Sequence, residues 1–195
     1  MRTVALGFAC VALMAQGIWL WQADATLGSI TAGGVIAVGA LTLTLGRARI
    51  VTAIVRIVLG LLLLGSVADR FGLFGAAGTD GVSWGSFTAF VDYTRTLLPD
   101  PVRGLTSAAA VAATALEIIL GAALVAGIRT RIVATGTTGL LIIFAVAMWS
   151  ALGFDAMADY AVPVLAAGAA VIATCTPARA PHATSAPKLA SAEAV

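Results

Sequence analysis

Apolar residues do not alternate along this chain; they run. Six stretches, at 4–21, 28–46, 50–67, 105–127, 132–152 and 160–176, are apolar almost without interruption. A helix needs about 20 such residues to cross a bilayer, with a range of roughly 17 to 25. The pattern therefore predicts an all-α membrane protein, a bundle of six transmembrane helices. The second stretch is rich in Gly and Thr; glycine is commoner in membrane helices than in soluble ones, so it is still read as a span. Between the third and fourth runs the character changes. Segment 68–104 opens with Arg70-Phe71-Gly72-Leu73-Phe74-Gly75, which reads as loop. Trp84, Phe87, Val91, Thr94 and Leu98 then recur at helical spacing, with Asp92 and Arg95 between them, until Pro99 and Pro101. That spacing predicts an amphipathic helix on the outer membrane surface or folded over the mouth of the bundle; a packed re-entry loop is the alternative. Segment 177–195 is Pro, Ala and Ser with scattered charge, the composition of a disordered tail.

Charge sorts the connections. Arg2 precedes the first run, Arg47 and Arg49 separate the second and third, Arg129 and Arg131 the fourth and fifth, and Arg179 and Lys188 follow the sixth. The opposite loops carry Asp24, a near-neutral segment, then Asp155 and Asp159. Six spans place all the basic ends on one face, which the positive-inside rule makes cytoplasmic. The expectation is a multi-pass protein of the cell (inner, cytoplasmic) membrane with both termini inside. A rival reading of the start is a signal peptide cleaved at Ala23-Asp24-Ala25. The first run exceeds the usual apolar core of such peptides, about 7 to 15 residues, and Trp19 and Trp21 suit an aromatic belt at the outer interface. A retained helix is the preferred reading.

Composition agrees. Of 195 residues 61% are hydrophobic and 10% charged, where a soluble domain carries about 25% charged. The lipid bilayer is the first partner implied. A net charge of +2 gives no reason to expect nucleic acid. Cys10 and Cys175 form no CxxC pair, and the single histidine, His182, lies in the polar tail. Neither a bis-histidine haem nor a His-rich metal site can be assembled from this chain alone.

The chemistry on offer is sparse. Glu117 interrupts the fourth run and Arg56 the third. An acidic or basic residue at a membrane-helix centre costs roughly 2.5 to 3.5 kcal/mol on insertion scales, so it needs a partner or a task. Both sit on faces of small residues: Ala113, Thr114 and Gly121 beside Glu117, Thr52, Ala53 and Gly60 beside Arg56. Small residues let helices approach closely, so both faces are expected to point into the bundle. Three readings of Arg56 and Glu117 stay open: a buried ion pair fixing helix register, a polar ligand pocket, or an Arg56 that snorkels to the headgroups. Asp155 and Asp159, four residues apart, suit a solvated turn and helix start better than a cation site. No metal ligands are assigned.

The chain resembles the DoxX family of small four-helix membrane proteins over residues 50 to about 176. The resemblance rests on Arg56-Ile57-Val58-Leu59-Gly60, on Asp69-Arg70-Phe71-Gly72, and on Glu117-Ile118-Ile119-Leu120-Gly121 followed by a Leu-rich stretch and Gly127-Ile128-Arg129-Thr130-Arg131. It implies three segments: an additional N-terminal helix hairpin at 1–49, a DoxX-like four-helix core at 50–176, and the tail at 177–195. Some relatives are membrane subunits of quinone-linked oxidoreductases; others are partners of proteins that handle thiol and superoxide stress. The resemblance thus implies a non-catalytic membrane subunit with a redox protein partner, and a bound quinone as the cofactor class to consider. A binder or carrier of small apolar molecules or lipids, and a structural scaffold in a larger complex, are the alternatives. Self-association into a homo-oligomer is compatible with all three.

Overall fold

The structure, a computed structural model, describes residues 1–175. The predicted tail at 177–195, and with it His182, Arg179 and Lys188, lies outside the described residues. Among the described residues the fold is entirely helical: α1 (Arg2–Gln22), α2 (Ser29–Leu43), α3 (Arg49–Arg70), α4 (Phe87–Leu97), a 3-10 turn (Asp100–Leu105), α5 (Thr106–Ala126), α6 (Thr130–Leu152), α7 (Phe154–Asp159) and α8 (Val162–Cys175).

Four of these segments are long and apolar enough to cross a membrane: α1, α3, α5 with its preceding turn, and α6. This is the make-up of an integral membrane protein. The runs at 28–46 and 160–176 give shorter helices. α2 holds 15 residues and α8 holds 14, about 22 and 21 Å of rise against a hydrocarbon thickness of about 30 Å. The last run is also broken: Ala161 adopts a left-handed backbone, φ 48°, between α7 and α8. A single Ala in that conformation leaves no mark in an apolar pattern.

The short α8 is the core. It packs against α1, α2, α3 and α6, and Val164, Ala166, Ala167, Ala169, Val171 and Ile172 are fully enclosed. Its small side chains allow four neighbours to close on it, as small residues do in membrane bundles. The exposed apolar residues of the long helices, such as Val11 and Ile18 on α1 or Ile143 and Val146 on α6, form the outward face.

The second packing unit is α3 against α5. Their closest approach is at Gly60 and Gly121. A Cβ on Gly60 would stand 2.8 Å from the Gly121 carbonyl oxygen, and a Cβ on Gly121 would stand 3.0 Å from that of Gly60. Only the absence of side chains permits this crossing. α3 is also one turn longer than its apolar run, continuing through Asp69 and Arg70, which the pattern assigned to loop. Both are buried; their polar partners lie inside the protein, so the helix carries them inward.

The segment between α3 and α5 folds onto the bundle. α4 packs on α5, α6 and α3, with Ser86 as N-cap accepting from the Ala89 amide. Trp19, expected in an aromatic belt, is instead buried, and its Nε1 donates to Asp155 Oδ1 at 2.8 Å. That bond ties α1 to α7, while Trp21 remains exposed.

Gly60→Ala should destabilise the protein by about 1–3 kcal/mol, the usual cost of overpacking a close contact. Gly65→Ala, where a Cβ has open space around it, should be neutral or mildly stabilising. Thermal unfolding of the two variants in detergent checks the contrast.

Candidate functional site

Glu117 lies on the α5 face that meets α3, and its partner is Arg70. Both carboxylate oxygens accept from Arg70 Nη2, Oε1 at 2.7 Å and Oε2 at 2.9 Å. Arg70 Nη1 donates to Thr114 Oγ1 at 2.9 Å, and Nη2 also reaches Ser66 Oγ at 3.1 Å. The side chains are 2% and 1% exposed, so the pair is sealed from lipid and solvent alike. Arg70 stands at the C-terminal end of α3, yet Glu117 is in the middle of α5. The difference in depth is closed by direction: a helical side chain leans toward its own N-terminus, which for Arg70 is into the bundle.

The residue expected to meet Glu117, Arg56, does something else. Its Nη1 donates to the Leu124 carbonyl and, at 3.4 Å, to that of Val125. Both carbonyls lie in the last turn of α5, where the helix dipole favours a cation, and the Leu124 oxygen accepts from the Gly127 amide as well. Gly127 closes α5 in the left-handed conformation, φ 71°. It also leaves room for the guanidinium, since a Cβ there would stand 2.5 Å from Arg56 Nη1. The predicted Arg56–Glu117 contact is therefore replaced by two separate ones. The α5 carbonyls lie nearer to Arg56 than the carboxylate does, and they satisfy it without a counter-charge.

An aromatic cap closes the site. The Arg70 guanidinium carbon lies 3.5 Å from the centre of the Phe90 ring and 5.2 Å from that of Trp84. Trp84 meets Phe90 edge-on at 5.3 Å and stacks on Tyr160 at 6.4 Å. Asp69, next to Arg70, holds the cap from below: its Oδ2 accepts from the amides of Ser83 and Trp84, both at 3.0 Å. Two buried atoms here have no hydrogen-bond partner, Asp69 Oδ1 and Arg70 Nε.

Of the predicted stripe Trp84, Phe87 and Val91, only part behaves as one face. Trp84 precedes α4 rather than belonging to it. Phe87 is half-buried and stacks on Phe71 at 6.0 Å, and Val91 is half-buried on the flank. The buried centre of α4 is Phe90 and Thr94. Phe87, Phe90, Thr94 and Leu97 also keep helical spacing, and that stripe would have found it. Among the described residues, no three His, Cys, Asp or Glu side chains gather closely enough to hold a metal ion. Asp155 serves Trp19, as described above.

Compared with family models, with curated proteins and with solved structures, the chain gives no match.

Asp69→Ala should strand two amides and cost about 1–3 kcal/mol for each one left unsatisfied. Faster hydrogen exchange at Ser83 and Trp84 and cleavage of the 71–86 segment by added protease are the expected readouts. Burial, with Tyr160 nearby as a second cause, pushes the Tyr93 phenol up to about 12. Because the folded state holds the neutral phenol, this contribution to stability is complete below pH 10 and lost between about pH 10 and 12. In an ultraviolet titration, Tyr93→Phe should remove the tyrosine ionisation near pH 12.

Proposed function

We propose that this chain is a non-catalytic, DoxX-like subunit of the cytoplasmic membrane that presents its outer cap to a partner protein. The observation that carries the reading is what the Arg70–Glu117 pair is spent on. Burying two charges is costly, and here Arg70, Glu117 and Asp69 all serve to latch residues 83–94 onto the bundle. Such a latch makes sense where a defined surface must be held outside the membrane. That surface shows Phe71, Leu73 and Phe74 exposed, an apolar rim suited to a protein contact. By the resemblance to DoxX proteins, the partner class is a quinone-linked or thiol-stress oxidoreductase.

In this reading α2, and α7 with α8, complete six spans. The end bearing Arg2, Arg47, Arg49, Arg129 and Arg131 faces the cytoplasm, as positive-inside sorting requires. A second reading, a binder of small apolar molecules or a quinone, is favoured by a separate feature: an apolar groove of about 440 Å³ between α1, α6 and α8.

Two experiments test these statements. In a background with Cys10 and Cys175 replaced by Ala, Ala76→Cys should react with a membrane-impermeant thiol reagent in intact cells, and Thr130→Cys only after permeabilisation. Labelling of both from outside contradicts the topology. Purification from native membranes followed by mass spectrometry should recover a protein in fixed ratio, lost on Leu73→Asp while the bundle keeps its thermal stability. A stoichiometric quinone without a protein partner favours the second reading.

A further inference from the structure

The groove between α1 and α6 has a definite chemistry. α1 and α6 both pack on α8, whose side chains at this point, Ala170, Ala173 and Thr174, are too small to fill the space between them. The resulting open groove, about 440 Å³, is walled by Val4 and Phe8 on one side and Thr135 and Thr138 on the other. That is within the size range of small-ligand sites. The two threonines add no polar group to it. Their hydroxyls donate to their own helix, to the Arg131 and Ala134 carbonyls at 2.9 and 2.8 Å, which leaves hydrocarbon facing the groove.

The mouth of the groove is charged. Arg131 lies one turn before Thr135 and two before Thr138 on the same face of α6, and it is exposed. Arg2 starts the opposite wall and is held toward the α2–α3 turn by donating to the Leu45 carbonyl. Among the described residues no carboxylate lies at this end of the bundle; Glu117 is in mid-helix and the aspartates lie at the other end.

We propose that this groove is a binding site for an anionic phospholipid of the adjacent leaflet. One acyl chain occupies the groove over Ala170, and the phosphate is met by Arg131, one turn from Thr135 at its mouth. A hydrocarbon groove alone would take any chain, but one that opens beside an exposed guanidinium selects an acidic headgroup. The site is separate from the Arg70–Glu117 cap, so it stands whether or not the proposed partner role holds.

The test uses the full chain, delipidated in detergent and titrated with phosphatidylglycerol or with phosphatidylcholine of identical chains. Native mass spectrometry reads the lipid retained. One phosphatidylglycerol per protein should bind about fivefold tighter than phosphatidylcholine, the increment expected from one arginine at the headgroup. Arg131→Gln, a change at an exposed position, should bring the two lipids close to parity while chain binding survives. Ala170→Leu should weaken both by filling the slot, and its thermal unfolding shows whether the bundle is intact. Equal binding of both lipids by the native protein overturns the proposal. So does an unchanged headgroup preference in Arg131→Gln. A lipid-free dimer that Ala170→Leu converts to monomer would assign the groove to a second copy of the chain instead.

Discussion

A guanidinium and a carboxylate enclosed together constrain how this bundle is arranged. A carboxylate alone at a membrane-helix centre costs a few kcal/mol, so Glu117 needs a partner, and Arg70 at the end of α3 supplies it. Meeting requires α3 to extend a turn beyond its apolar run, and Asp69 is drawn inside with it. Asp69 then binds the amides at 83–84, and Phe90 closes over the guanidinium. The segment between α3 and α5 is thus held by the ion pair and its neighbour as well as by its own apolar face.

Below that pair, α3 and α5 are fastened at two further levels. Gly60 and Gly121 bring the backbones together, and Arg56 seats on the last carbonyls of α5 with Gly127 making room. Read up the helix pair, the order is cation on carbonyls, glycine on glycine, then cation on carboxylate. This gives a physical reason for two spacings in the sequence. Arg56 to Gly60 is one turn, and so is Glu117 to Gly121; each charge is anchored one turn from the point where the backbones touch.

Much of this was legible in the sequence. Uninterrupted apolar runs can hardly be anything but helices in a membrane, and a lone Glu117 in such a run had to matter. The pairing was not legible. It depends on the relative depth of two helices and on the direction in which a side chain leans, and Arg70 was hidden beside a Phe-Gly string that reads as loop. Arg56 misled because a carbonyl group leaves no trace in a sequence. The split of the last run at Ala161 and the role of Phe90 over Trp84 were obscured for a related reason: apolar patterns mark burial, not backbone conformation or which of two stripes is chosen.

The central claim is that Arg70, and not Arg56, holds Glu117. A double-mutant cycle on unfolding free energy in mixed micelles addresses it directly. Arg70→Gln and Glu117→Gln should each cost about 3–5 kcal/mol, because each strands the other charge. The double variant should recover a substantial part, whereas Arg56→Gln and Glu117→Gln should simply add. Additive losses for Arg70 with Glu117, or recovery when Arg56 is the one removed, would contradict the account.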